Sequence, residues 1–307
     1  MELGKFWIAA EDEKILEILS RITDNEIKAL RRICERYGEG EEEIRRYDVY
    51  EIETTSGPRI LKKTGAREAW NYETYLSGKN LPVPFFYGKW VEGEDVWILI
   101  ERISGNDLRD MTDALAVKAA DCLAQIQNSC WQRGGEDGTH ARFEAYWKRI
   151  LKRAAFFAGD SQLKNAYQCF LDRQRACPRT LSNGDLLACN VMEEKGGVKI
   201  IDWGFGGILP YSLDIARFIA HATETRSTFP FYMTGPQKRL FVDRVYQKLE
   251  QKPDYEQYLW DLKLAVLNEY LEFVEAEEDE NGWYEAHARQ LAEAISRESQ
   301  ERQHPVG

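Results

Sequence analysis

The sequence predicts an α+β fold in two parts, with extended structure concentrated before residue 103 and helices after it. Three observations carry this expectation. Residues 43–63 alternate in character and break at Ser56-Gly57-Pro58. From Gly105 onward, long stretches repeat apolar residues at intervals of three and four. Within that helical half, Val191-Met192 and Val198 to Ile201 flank Lys195-Gly196-Gly197, the pattern of a short hairpin. We therefore divide the chain near Ile103, into residues 1–103 and 104–307.

A chain of 307 residues is long enough for two lobes with a core each. With 43% hydrophobic and 30% charged residues it reads as globular, and no apolar run reaches the ~18 residues of a membrane span. Residues 1–10 lack the apolar stretch and cleavage site of a signal peptide, so a cytoplasmic location is expected. The six cysteines form no C-x-x-C pair and read as reduced thiols, and the four histidines have no zinc spacing. A net charge of −11 argues against binding nucleic acid and suits a cationic substrate. Neither a membrane nor an obligate protein partner is expected.

In chain order, Ile15, Ile18, Leu19 and Ile22 are spaced for one helix face. Ile27, Leu30, Ile33 and Cys34 are spaced for that of a second helix, with Asp24 as its N-cap. Tyr37-Gly38-Glu39-Gly40-Glu41 reads as a helix end and turn rather than a phosphate loop, because acids beside the two glycines make a poor cradle for an anion. Val49 to Thr54 and Arg59 to Lys63 form a hairpin, and Lys62 and Lys63 end its second strand on opposite faces. Ala66 to Ser77 is a helix, with Glu68 in its first turn and Glu73 beyond. A strand pair broken at Glu92-Gly93-Glu94-Asp95 ends in Val96 to Ile103. Ala114 to Gln127, Arg142 to Ala158 and Ser161 to Arg175 are helices, and residues 238–300 hold two or three more, rich in acids.

The stretch Leu181 to Gly207 carries the chemistry. If its turn centres on residue 196, Asn190 faces Asp202 at the open end of the hairpin. An amide oxygen and a carboxylate would converge there, hard ligands of the kind Mg²⁺ takes alongside water and phosphate oxygens. Asp185 would stand nearby on the loop. Phosphoryl transfer needs such a set: one carboxylate to orient the attacking hydroxyl and accept its proton, and two oxygen ligands to hold metal against the phosphates. Turn-favouring Asp and Asn at a hairpin end are the bland alternative. That reading accounts for neither the spacing nor the two flanking apolar runs.

Asp185 and Asn190 five residues apart, followed by Asp202-Trp203-Gly204, have the spacing of the kinase catalytic loop and its metal-binding aspartate. Here the chain resembles the aminoglycoside phosphotransferase and choline kinase branch of the kinase-like superfamily. That branch typically reads H-G-D-x-x-x-x-N and then I-D-W. This chain has Asn183-Gly184-Asp185 through Asn190 and Ile201-Asp202-Trp203, with Asn183 in the position of the histidine. Leu81-Pro82-Val83-Pro84 with Gly88, and Leu213-Asp214-Ile215-Ala216, resemble further family segments, and the likeness runs from about Tyr47 to Phe218.

The resemblance implies a bilobal protein-kinase-like fold: a small N-lobe with a five-stranded antiparallel sheet plus helix, and a larger, mainly helical C-lobe. ATP and Mg²⁺ are the implied cofactors. Asp185 would be catalytic, and Asn190 and Asp202 would bind the metal. Lys62, with Lys63 as alternative, would hold the α and β phosphates, and Glu68, with Glu73 as competitor, would fix that ammonium. Leu99 would line the adenine pocket, with the hinge at Glu101-Arg102-Ile103, and Asp214 would brace the catalytic loop. Acids between Glu269 and Glu280, near Tyr270, Phe273, Trp283 and Tyr284, would suit an ammonium-bearing acceptor.

The expected function is an ATP- and Mg²⁺-dependent kinase acting on a hydroxyl of an amino-bearing small molecule, aminoglycoside-like first and choline, ethanolamine or a sugar second. A reading from another class is a degenerate kinase fold that binds without catalysis, resting on Asn183 and the acid-rich 38–43 loop. Protein substrates are disfavoured because no A-P-E segment follows Asp202.

Overall fold

The structure is a computed structural model and describes residues 5–37, 43–132, 140–225 and 231–303. The Gly38-Gly40 turn and His304 lie outside them. Two compact units emerge: Met1–Asn106 with Lys199–Phe205, and Asp107–Val198 with Gly206–Gly307. The segment carrying Asp202 thus groups with the N-terminal residues.

The first unit is built on a six-stranded antiparallel sheet, one strand more than expected. Its strands are β1 (Lys5–Ala9), β2 (Ile27–Tyr37), β3 (Glu43–Thr54), β4 (Gly57–Thr64), β5 (Phe86–Glu92) and β6 (Asp95–Glu101), in the order β1-β2-β3-β4-β6-β5. Helix α1 (Glu13–Ile22) is capped by Asp12, which accepts the Ile15 N–H at 3.2 Å. Its Ile15, Ile18 and Leu19 pack on Leu30, Tyr50, Ile52, Leu61, Trp97 and Leu99, which fixes one face of the sheet as a core face.

The second helix expected at Ile27 to Cys34 is instead strand β2. It breaks register between Ile27 and Ala29 and again between Arg32 and Cys34. The first shift puts an extra residue on β2, so Ile27 and Leu30, three apart, both pack on the core face and the strand imitates helical spacing, whereas at the second the extra residues lie on β3. Pairing on both edges, to β1 and β3, decides the outcome. Asp24 accordingly caps no helix and lies between α1 and β2.

After β4 come helix α2 (Ala66–Asn71) and a π-helical turn, Tyr72–Leu76, whose Tyr72 stacks on Phe86 at 5.3 Å.

The second unit is mainly helical, as expected. It contains α3 (Asp113–Asn128), α4 (His140–Phe156), α5 (Ser161–Ala176), α6 (Ser212–Ala220), α7 (Gly235–Lys248), α8 (Tyr255–Glu275) and α9 (Trp283–Gln303). Its core draws Ile150 from α4, Phe170 from α5, Leu213 from α6, Leu264 and Leu267 from α8, and Ile295 from α9. Strands β7 (Trp131–Gln132), β8 (Arg179–Ser182) and β11 (Gly207–Pro210), short enough to escape a sequence pattern, form a sheet in the order β11-β8-β7. The expected hairpin is present as β9 (Val191–Glu194) paired with β10 (Gly197–Ile200), and Gly196 in its turn has φ +86°. No disulfide joins any of the six cysteines. No described helix is long and apolar enough to cross a membrane.

Candidate active site

In the first unit, Leu61 faces the α1 core, so the adjacent Lys62 emerges on the opposite face of β4. Its ammonium lies 2.9 Å from the Glu68 carboxylate and 2.9 Å from Asp202 Oδ1. Lys63 points the other way and pairs with Asp95 at 2.7 Å, while Glu73 pairs with Lys89 at 2.6 Å. Of the lysines and glutamates that the sequence left open, the structure therefore brings together Lys62 and Glu68. Burial alone would lower the Lys62 pKa, but Glu68 and Asp202 outweigh it and raise it above the ordinary value, so the ammonium stays charged.

Asp202 is held in the left-handed region at φ +58°, a conformation that aspartate tolerates better than most residues. The surroundings impose it. Trp203 is fully buried, its indole donates to the Ile200 carbonyl at 3.0 Å, its carbonyl accepts from Asn71 at 2.8 Å, and its N–H donates to Glu68 at 3.3 Å. A strained backbone fixed by neighbours in this way presents a carboxylate in one direction.

The residues expected at the hinge fall differently from expectation in one respect. Leu99 lies directly opposite Leu61 and is buried in the α1-side core, on the face away from Lys62. Period-2 alternation puts Ile98 and Ile100 on the Lys62 face instead. Glu101 gives its N–H to the Phe85 carbonyl at 2.8 Å, and its carboxylate pairs with Lys199 at 2.7 Å. Arg102 ion-pairs with Glu51, and Ile103 is half-buried just past the strand.

In the second unit, the Asp185 loop is braced from below. Asp214, fully buried at the start of α6, accepts the N–H groups of Asn183 at 2.7 Å and Gly184 at 2.9 Å. Burial lifts its carboxyl to about 6 even against those bonds. Asn183 is fully buried, and its side-chain oxygen accepts the Asp185 N–H at 3.2 Å, which fixes the start of the loop. Asn190 closes a 3₁₀ turn, donating its side-chain N–H to the Asp185 carbonyl at 2.8 Å. With the nitrogen so engaged, the oxygen is the end of that amide left to act as a hard ligand.

Sequence reasoning missed Arg217. Its Nε donates to Asp185 Oδ1 at 2.7 Å, and its Nη1 reaches Glu269 at 2.7 Å and Glu272 at 3.4 Å. The signal was its position three residues after Asp214, which places both on one face of α6.

The acid run is corrected in part, at Glu269, Glu272, Glu275 and Asp279. Glu269 is buried against Arg217 and against His221 at 3.2 Å, Glu272 pairs with Arg153 at 2.7 Å, and Glu275 pairs with Arg153 at 3.0 Å. Asp279 takes the N–H groups of Tyr284 and Glu285 at the start of α9. These carboxylates are internal counter-ions and caps rather than a platform for an ammonium group.

Burial would raise the Glu269 carboxyl, but the guanidinium of Arg217 and the His221 hydrogen bond together hold it below the usual range. A depressed carboxyl contributes stability above the ordinary glutamate pKa of ~4.3, and that contribution is lost as pH falls below it. Glu269→Gln should therefore lose less of its urea resistance between pH 6 and pH 3, as bounds set by that ordinary pKa of ~4.3, than the wild type does.

Comparison with known proteins now bears on this geometry. The sequence pattern of the phosphotransferase enzyme family matches residues 45–258, most of the chain. The chain belongs to that family. It is accordingly a small-molecule phosphotransferase, the reaction class that the Asp185 loop led us to expect. No curated protein sequence matches it significantly.

Among solved structures, a choline kinase from Cryptosporidium parvum Iowa II is 12% identical with a TM-score of 0.54, covering 95% of this chain and 96% of its own. The choline kinase of Streptococcus pneumoniae is 17% identical with a TM-score of 0.53, covering 92% of this chain and 98% of its own. An aminoglycoside phosphotransferase solved with AMP-PNP and hygromycin B is 14% identical with a TM-score of 0.51, covering 94% of this chain and 98% of its own. At such identities the likeness concerns the fold, which is the kinase-like one expected from the catalytic loop.

Proposed function

We propose that this phosphotransferase is an ATP- and Mg²⁺-dependent kinase that moves the γ-phosphoryl group onto a hydroxyl of a small-molecule acceptor. An aminoglycoside-like, amino-bearing acceptor is favoured, and choline, ethanolamine or a sugar is the alternative. The observation that carries this reading is the Asp185 loop, whose backbone is fixed by Asp214 and Asn183 and whose carboxylate is held by Arg217. Asp185 orients the hydroxyl and takes its proton, Lys62 positions the α and β phosphates, and Glu68 keeps that ammonium in place. Mg²⁺, held by Asn190 and Asp202, would neutralise phosphate charge. Residues about Glu101 and Ile103 meet the adenine through their backbone. The work done by these residues is alignment and charge stabilisation.

Binding without catalysis is the competing reading, motivated by Asn183. The hydrogen bond from the Asp185 N–H to that residue speaks against it, because the loop is braced without the histidine. The test is Mg²⁺-dependent ATP consumption across aminoglycosides, choline, ethanolamine, amino sugars and nucleosides. One acceptor class should stimulate consumption well above the acceptor-free rate. No stimulation by any of them, with ATP and Mg²⁺ still raising Tm, would favour the binding protein. Lys62→Met should lower kcat/KM for ATP by about 10²-fold, since one preorganised cationic donor is lost.

A further inference from the structure

In the first unit, Arg59 of β4 stands two residues before Leu61 and so points to the α1 face of the sheet, away from Lys62. It is 7% exposed, and its guanidinium carbon lies 3.8 Å from the centre of the Tyr87 ring on β5. Nη1 donates to Thr23 Oγ1 at 3.2 Å and Nη2 to Ser56 Oγ at 3.4 Å, while Nε is buried with no partner. With its amide oxygen turned inward, Asn25 accepts from Nη2 at 3.0 Å. All of these partners are neutral, and no carboxylate of a described residue pairs with Arg59. Glu101, directly across from it on β6, is taken by Lys199 at 2.7 Å. A buried charge is costly unless it is paired, and Arg153, comparably buried, is met by Glu272 and Glu275. Arg59 also lines a cavity of about 480 Å³, together with Arg21, Thr23, Asn25, Tyr87 and the exposed Asp24.

We propose that this cavity binds the phosphoryl group of a small hydrophilic molecule, with Arg59 as its counter-ion. Stacking on Tyr87 occupies a face of the guanidinium and leaves its N–H edges in plane, the geometry that meets two oxygens of one phosphate. The bonds to Thr23 and Ser56 are long beside the ~2.7–2.9 Å of a charge-assisted pair, so an anion replaces them at a gain. The Thr23 hydroxyl, the Asn25 amide and the Arg21 guanidinium add donors from other directions, which three phosphoryl oxygens satisfy better than the two of a carboxylate. Two cations against one carboxylate leave the lining positive. The volume lies within the ~300–1,000 Å³ of small-molecule sites, room for a polar body behind the phosphate. Binding there would tie the end of α1 to β4 and β5, on the side of the sheet opposite Lys62. The inference goes beyond the kinase reading and stands or falls without it.

The test follows thermal unfolding of the whole chain with inorganic phosphate and, separately, with glucose 6-phosphate, against chloride at equal ionic strength and without ATP. Wild type and Lys62→Met are titrated side by side, because Lys62 is expected to hold phosphates on the other face of the sheet. In both proteins Tm should rise saturably with at least one of the two probes, as mass action requires of a ligand that binds the folded state. A response to glucose 6-phosphate alone would identify a phosphomonoester as the ligand, and equal responses would show that free phosphate suffices. Arg59→Met should abolish the rise. Asp24→Asn removes the one carboxylate of the lining from an exposed position and should lower the half-saturating concentration roughly two- to five-fold, the scale of an exposed charge pair. No rise with either probe, a rise that survives in Arg59→Met, or a rise lost in Lys62→Met would each overturn the inference. Where Arg59→Met does not fold, an unchanged half-saturating concentration in Asp24→Asn overturns it instead.

Discussion

Asp185→Asn should turn over its acceptor about 10²- to 10⁴-fold more slowly than the wild type while retaining its KM for ATP. The substitution keeps the shape of the side chain and removes the one thing the mechanism requires of it, an anionic oxygen that can accept the hydroxyl proton. The brace beneath the loop is untouched, because Asp214 holds the N–H groups of Asn183 and Gly184 and not the Asp185 side chain. Arg217 keeps Glu269 as counter-ion, so the arginine is not stranded. Steady-state kinetics with ATP and acceptor varied separately read the result. A kcat within a few-fold of wild type would remove Asp185 from the chemistry.

Arg153→Met should be the most destabilising single change in the second unit, lowering unfolding free energy by about 3–5 kcal/mol. Arg153 is 1% exposed on α4 and spans three partners on α8: Asn268 at 2.6 Å, Glu272 at 2.7 Å and Glu275 at 3.0 Å. Burial works against its charge, yet the surrounding carboxylates raise its pKa above that of a free arginine. Methionine fills much of the volume but removes the cation buried among these partners, leaving Glu272 with Arg217 at 3.4 Å and Glu275 with Lys152 at 3.6 Å, and a poorly compensated buried charge is the costly case. Urea unfolding should show a lower midpoint at unchanged slope. A loss below about 1 kcal/mol, the scale of an exposed pair, would mean that water reaches these carboxylates.

How much could be read in advance depended on the range of the interactions involved. The Asp185-to-Asp202 stretch was legible because its hairpin, turn glycine and flanking apolar runs are neighbours in sequence. The role of Asp214 came from the same resemblance and holds in atomic detail, with two N–H groups on one carboxylate. Choosing Lys62 over Lys63 required a strand face, which alternation supplies only once Leu61 is known to point at α1. Strand β2 was misread because the extra residue between Ile27 and Ala29 puts Ile27 and Leu30 on one face, a spacing that resembles a helix. Leu99 was placed in the nucleotide pocket by position along the strand, whereas its face is set by pairing with Leu61. The acids from Glu269 to Glu275 looked like a surface run because Arg153 and Arg217 lie 52 to 122 residues away along the chain. No local pattern reports such pairings, and Arg217 itself was hidden for the same reason.

The most direct measurement follows the phosphoryl group itself by ³¹P NMR, with the enzyme, Mg-ATP and the accepted small molecule in one tube. The account predicts that ADP and an acceptor phosphomonoester appear together in equal amounts, that neither forms when Mg²⁺ is chelated, and that Asp185→Asn all but stops both. ADP accumulating with free phosphate and no phosphomonoester, or transfer undiminished in Asp185→Asn, would contradict it.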